Sequence, residues 1–488
     1  MENVIIVYSS LLLVLVSSSS YSAARLLAAD HGAAPAEKLI KAFNVFPDIN
    51  IVDAGGPAGR RQLVEKRFKF PTLDYSNASL DDLGHHAGYF SLNDTYDARM
   101  FYFFFENRKN NTGAPVVVWL TGGPGCSSEL AVFYENGPFK INNDMTLVWN
   151  DYGWDQSANM IFVDSPTGTG FSYSNDSRDS RHDEVGVSND LYDFIQAFFG
   201  AHPSYASNPF FITGESYGGH YVPAFASRVN QGNKANEGTP INLKGFAIGN
   251  GLTNPGIQYA AYPDFALDNN LINQSTYDQI MQNMVPQCQS AAAACGTNGT
   301  DSCSNAANVC ENIPDSILQL NPGINIYDIR KQCIGSLCYN FSNAEVFLNE
   351  PSVRSALGVG NLQWTPCSDS VNGDFNDDRM RNLEVVIPPL LEEGNIALLI
   401  YAGEDDFICN WLGNWRWVTA MEWSGQQNFN STSPVSWQVN GTEAGILNTY
   451  GPLSFLKVHG SGHMVPMDQP EAALAMITQF IQGNLTSQ

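Results

Sequence analysis

The sequence predicts an open, mostly parallel α/β sheet with a helical, disulfide-rich insertion. Three observations point to it. Six apolar, β-rich runs each end in a glycine-containing turn. Helical patterns lie between several of them. One stretch, 254–351, breaks the rhythm and holds six of the nine cysteines.

The six runs, in chain order, are Val116–Leu120, Met160–Val163, Phe210–Ile212, Phe246–Ile248, Ile396–Tyr401 and Phe455–Val458. Continuous apolar runs of this kind suit strands buried on both faces of a parallel sheet. Leu191–Phe199 and Tyr221–Val229 read as helices between them, giving strand–turn–helix alternation. In such sheets ligands bind beyond the C-terminal ends of the strands. The interrupting stretch 254–351 is expected to form a cap of helices and loops over the site. The flanking segments 71–253 and 352–488 are expected to form the catalytic domain.

The N-terminus carries an apolar run, Val4–Val16, followed by Ser17–Ser20 and the small residues Ser22, Ala23 and Ala24. The run is too short to span a bilayer, so 1–24 reads as a signal peptide. Residues 25–70 differ in composition from the strand-rich chain after them and are expected to be a propeptide. Sequons begin at Asn77, Asn93, Asn110, Asn175, Asn273, Asn298, Asn340, Asn430, Asn440 and Asn484, and these are glycosylation candidates. Sequons and cysteines together favour an oxidising compartment, either vacuolar (lysosome-like) or extracellular. The 488-residue chain has 24 Lys+Arg against 49 Asp+Glu, a net charge of −25. That charge argues against nucleic acid or an anionic membrane as partner. A monomer or a homodimer is expected.

The run Phe210–Ile212 leads into Gly214-Glu215-Ser216-Tyr217-Gly218, a Gly-x-Ser-x-Gly turn before a helix. Such a turn lifts the serine hydroxyl above the sheet. The hydroxyl needs a base, and the base needs an orienting acid, in the chain order serine, acid, histidine. His463, in the loop after Phe455–Val458, is the favoured base. His220 lies in the helix behind the turn, and His459 reads as packing or surface. The run Ile396–Tyr401 leads to Glu404, Asp405 and Asp406, and position in the turn does not separate these three. The loop Leu120-Thr121-Gly122-Gly123-Pro124-Gly125 can supply backbone N–H groups to an oxyanion.

These blocks resemble the serine carboxypeptidases, a branch of the α/β-hydrolases. The resemblance rests on Trp119–Ser128, Gly214–Gly219, Tyr401–Asn410 and Gly462–Pro466, and it looks most like the plant type III branch. It implies an α/β-hydrolase fold with a mostly parallel central sheet and a disulfide-rich helical cap. It implies Asp406 as the orienting acid and the N–H groups of Gly123 and Tyr217 as oxyanion donors. It also assigns Glu135, Trp119, Thr121 and Gly122 to the grip on a substrate's C-terminal carboxylate, and Cys409 and Met464 to substrate contacts.

Glu215, beside the serine, belongs to the same grip. An ionised acid would repel a carboxylate, whereas a protonated one donates a hydrogen bond to it. Two carboxyls in one site push one pKa up. Release of C-terminal amino acids from peptides or proteins at acidic pH is therefore expected. Local spacing suggests Cys333–Cys338 and a nest of Cys295–Cys303 inside Cys288–Cys310. The family pattern agrees and adds Cys126–Cys367, leaving Cys409 free. No cofactor and no metal are expected, because the histidines lack ligand spacing and no paired Cys-x-x-Cys units occur. Two rival readings are an acyltransferase of the same family and a protective or binding partner with a secondary catalytic role.

Overall fold

The computed structural model describes residues 63–70, 85–109, 111–295 and 301–485. The expected signal peptide, most of the expected propeptide, and Asn77, Asn110 and Asn298 lie outside these residues. The other seven sequon asparagines are all exposed.

The strands are β1 Leu63–Arg67, β2 His85–Ser91, β3 Arg99–Phe105, β4 Val116–Leu120, β5 Phe139–Ile141, β6 Leu147–Trp149, β7 Asn159–Val163, β8 Phe210–Glu215, β9 Leu243–Gly249, β10 Ala397–Gly403, β11 Val435–Val439, β12 Thr442–Tyr450 and β13 Leu453–Val458. Eleven of them form one sheet in the order β1-β2-β3-β7-β4-β8-β9-β10-β13-β12-β11, while β5 and β6 make a separate ribbon. The six runs read from the sequence are β4, β7, β8, β9, β10 and β13, and they pair in parallel as the sheet's centre. The first of the six apolar runs is β4. The structure adds the antiparallel strands β1–β3 on one edge and β11–β12 on the other.

Alternation along the strands sends successive side chains to opposite faces. Val117, Trp119, Phe211, Leu399 and Leu456 enter one core, with Met476 and Phe480 of the helix Pro470–Ile481. Val116, Val118, Ile212, Ile248 and Ile400 enter the other, under the helices Glu184–Ala201 and Gly218–Ala235. Apolar packing on both sides fixes the strand register, because a one-residue slip would exchange the faces. β1 lies inside the span expected as a propeptide. It pairs with β2 from Leu63↔Phe90 to Arg67↔His86, and Phe68 and Phe70 are buried in the core beyond it.

Between β9 and β10 the described chain is helical. Val285–Cys295 and Asp301–Leu318 form an antiparallel pair closed by Cys288–Cys310 and Cys295–Cys303. Their small core, with Phe265, Ile313 and Ile317, also takes in Phe407 from the loop after β10. Cys333–Cys338 closes a short loop, and Cys126–Cys367 ties the loop after β4 to the later chain. Among the described residues no helix is long and apolar enough to cross a membrane.

Candidate active site

Ser216 occupies the turn between β8 and the helix Gly218–Ala235, with φ at +64°. A left-handed backbone is strained for serine and persists only where its surroundings hold it. Here Ser216 N donates to Gly249 O at 3.1 Å, and Ser216 O accepts from Gly219 N and Leu252 N at 2.9 Å each. The end of β9 therefore clamps the turn.

His463 follows β13, and its Nδ1 lies 2.8 Å from Asp406 Oδ2. His463 is 4% exposed and Asp406 is fully buried. The histidine's loop is braced by His463 N donating to Tyr327 O at 2.7 Å and by Gly462 N donating to Asp468 Oδ2 at 2.8 Å.

The fold separates the three acids after β10. Glu404 pairs with His459 at 2.7 Å and accepts from Gly460 N at 2.7 Å, which clips two loops together. Asp405 pairs with Arg330 at 3.2 Å. Only Asp406 meets His463. It also accepts from Ile408 N, Cys409 N and Asn250 Nδ2, the last at 2.8 Å. No sequence signal singles out Asn250. It sits just past β9, and nothing but folding brings it to Asp406. His220 is buried, stacks on Tyr217 at 4.4 Å between centroids, and donates from Nδ1 to Leu252 O at 2.6 Å. Burial pushes its pKa down.

The glycine loop lies directly on the serine turn. A Cβ at Gly122 would fall 2.3 Å from Tyr217 N and 2.7 Å from Ser216 Cβ, so only glycine permits the approach. Gly123 and Tyr217 line the same cavity as Ser216. The Tyr217 side chain is anchored by its hydroxyl, which donates to Asp378 Oδ2 at 2.8 Å.

Glu215 ends β8 and Glu135 follows the helix Glu129–Tyr134; each is 2% exposed. Drawn as carboxylates, neither Glu135 oxygen nor Glu215 Oε2 has a donor among the described residues. A proton held between the two carboxyls would supply one. Burial pushes Glu135 up to about 7 despite its hydrogen bond to Glu215. Burial and the neighbouring Glu135 raise Glu215 well above the usual carboxyl range. Trp119 Nε1 donates to Thr121 Oγ1 at 2.9 Å, which leaves the threonine O–H free to donate elsewhere.

Two cavities meet at Ser216. One, of about 100 Å³, is lined by Thr121, Gly122, Glu215, His463 and Met464. The other, of about 240 Å³, is lined by Tyr217, Cys409 and residues of the cap. Cys409 is the free cysteine and is buried.

Far from Ser216, Glu65 Oε1 lies 2.6 Å from His86 Nδ1 and Oε2 lies 2.7 Å from His202 Nε2, with Tyr102 Oη donating to Glu65 as well. Ligand atoms of these three residues lie within 4.8 Å of one another, a grouping that sequence spacing does not signal. The carboxylate is already satisfied by its ring and hydroxyl partners, so the cluster works as a clip between β1, β2 and the end of the helix Glu184–Ala201.

A parallel sheet that delivers a strained serine before one helix, and a histidine after its last parallel strand, is the arrangement of an α/β-hydrolase. Sequence comparison narrows this. The serine carboxypeptidase family, peptidase S10, matches residues 76–483, and the chain belongs to it. It is 59% identical to serine carboxypeptidase-like 49 of Arabidopsis thaliana, over 92% of this chain and 88% of that one. It is 59% identical to serine carboxypeptidase 3 of Oryza sativa subsp. japonica, over 93% and 90%. The crystal structure of Kex1(Δ)p, a prohormone-processing carboxypeptidase from Saccharomyces cerevisiae, superposes with a TM-score of 0.72 at 25% identity, covering 91% of this chain and 95% of that one. The chain is thus a serine-type carboxypeptidase with an α/β-hydrolase fold.

Proposed function

We propose that the protein removes C-terminal amino acids from peptides at acidic pH through an acyl-enzyme on Ser216. His463 takes the Ser216 proton as Oγ attacks the last peptide carbonyl, and Asp406 holds the imidazole in the tautomer that can accept it. The N–H groups of Gly123 and Tyr217 receive the oxyanion. His463 then protonates the departing amino acid, and water it activates releases the acyl group.

The observation that carries the reading is the buried pair Glu135 and Glu215 beside Ser216. A protonated pair donates to the substrate's terminal carboxylate, and Thr121 and the Gly122 backbone complete the grip. The terminal residue then occupies the smaller cavity, against Met464. The penultimate residue occupies the larger one, against Tyr217 and Cys409. An acyl-glucose donor has no carboxylate for this pair, which favours the peptidase over an acyltransferase.

The same reading takes the chain through the secretory pathway to a vacuole-like or extracellular space. It takes residues 25–70 as a propeptide, with Leu63–Arg67 the part that docks on the sheet edge through Glu65. N-terminal sequencing of the active form tests that assignment.

The principal test compares a blocked dipeptide with its C-terminal amide. Release of the free amino acid is expected to exceed release of the amide by at least about 10-fold, the loss of a charge-assisted contact. Labelling by a fluorophosphonate is expected to vanish in Ser216→Ala. Equal rates on acid and amide would overturn the assignment of the carboxyl pair.

A further inference from the structure

The larger cavity has mostly apolar walls and carries acidic side chains at its solvent-exposed edge. Tyr259, Tyr262, Leu318, Ile326, Phe407 and Ile408 form its walls. Glu311 and Asp315, four residues apart on the cap helix Asp301–Leu318, carry carboxylates to it, and Arg379 stands beside them. The two carboxylates are not equivalent. Glu311 Oε1 accepts from Tyr259 Oη at 2.6 Å and lies 3.5 Å from Arg379 Nη1. Arg379 also donates to Asn372 Oδ1 at 3.3 Å. Asp315 is exposed, and its carboxylate has neither a cation nor a hydrogen-bond donor among the described residues. One acid is neutralised in place and the other is left facing whatever fills the cavity.

We propose that Asp315 selects substrates whose penultimate residue is lysine or arginine. The side chain's methylenes run along the aromatic and aliphatic walls while the cation reaches the rim, which suits a long amphipathic side chain. A purely aliphatic residue gains the same wall contact without the charge pair. An acidic one meets an unpaired like charge. This inference rests on the proposed reading of Ser216 and of the two cavities, and it adds the substrate class.

The test uses two blocked dipeptides with the same C-terminal residue, one with lysine and one with norleucine in the penultimate position. Norleucine keeps the stem and removes the charge. In the wild type the lysine-to-norleucine ratio of kcat/KM should exceed unity and fall as salt is raised. In Asp315→Asn the ratio should drop about 2- to 5-fold, the worth of a partly exposed ion pair. In Asp315→Lys a penultimate glutamate should gain over glutamine. A ratio unmoved by Asp315→Asn overturns the proposal while the carboxypeptidase reading stands. Failure of the wild type to cleave either peptide would overturn both.

Discussion

Asn250 Nδ2 donates to Asp406 Oδ2 at 2.8 Å, on the same oxygen that lies 2.8 Å from His463 Nδ1. Asn250 Oδ1 in turn accepts from Gly403 N at 3.1 Å, and its own N–H reaches Tyr401 O at 2.8 Å. One side chain thereby locks the end of β9 to the end of β10 and aims the acid at the histidine. Asn250 has φ at +41°, so Asn250→Gly keeps the backbone while removing both side-chain bonds. We expect kcat/KM to fall about 10-fold, mainly through kcat, because a hydrogen bond to a buried carboxylate is lost. Unchanged kcat would remove Asn250 from the positioning network.

Gly122→Ala should be far more damaging than its size suggests. The added carbon would lie 2.3 Å from Tyr217 N, one of the proposed oxyanion donors. We expect kcat to drop by about 100-fold or more, the usual cost of spoiling such a donor. Gly373→Ala is the control, since a Cβ there meets nothing within 4 Å. Its kinetics should match wild type.

Cys409 lines the larger cavity with Ser216, and burial raises its thiol well above the ordinary range. The neutral thiol should react slowly with alkylating reagents, which need thiolate. A mercurial that does bind would intrude on the space proposed for the penultimate residue and inhibit. Cys409→Ser should relieve that inhibition. Thiol titration should find one reactive group after unfolding without reductant, and finding none would exclude a free Cys409.

Thermal stability should fall as pH rises. Three buried carboxyl pairs lie near the serine turn. Besides Glu135 and Glu215, burial and Glu129 raise Asp164, and burial and Asp378 raise Glu184. Each raised group holds a proton in the fold at pH values where the unfolded chain has released it. Its stabilisation is present below the ordinary carboxyl range and is lost as pH climbs through the folded pKa, which is about 7 for Glu135 and well above the ordinary range for the others. We expect Tm to drop by about 5 °C or more between weakly acidic and weakly alkaline solution. Glu184→Gln should flatten the curve. A Tm that rises with pH would contradict the shared protons.

The centre of the fold was legible because burial on both faces writes a continuous apolar run. All six runs became the parallel strands. β11 and β12 were not legible, since they are half exposed and mix polar with apolar residues. β2 and β3 went unread for another reason. β2 opens on two histidines, and the run in β3 has no glycine turn to punctuate it. Local turn chemistry alone was enough to propose Ser216, His463 and the glycine loop as site candidates. Asp406 was not separable from Glu404 and Asp405 by position, and a family resemblance was needed. The fold separates them through partners distant in sequence, His459 for Glu404 and Arg330 for Asp405. Asn250, Tyr327 and Asp468 act only through contacts across the chain and leave no local signal.

The most direct test of the account is the pH dependence of KM for a blocked dipeptide, measured beside an ester lacking the free carboxylate. With Glu135 and Glu215 sharing a proton, KM for the peptide should rise as pH passes about 7 while KM for the ester stays flat. Glu215→Gln, which donates at every pH, should flatten the peptide curve. A peptide KM independent of pH in the wild type, or a rise that survives Glu215→Gln together with Glu135→Gln, would contradict it.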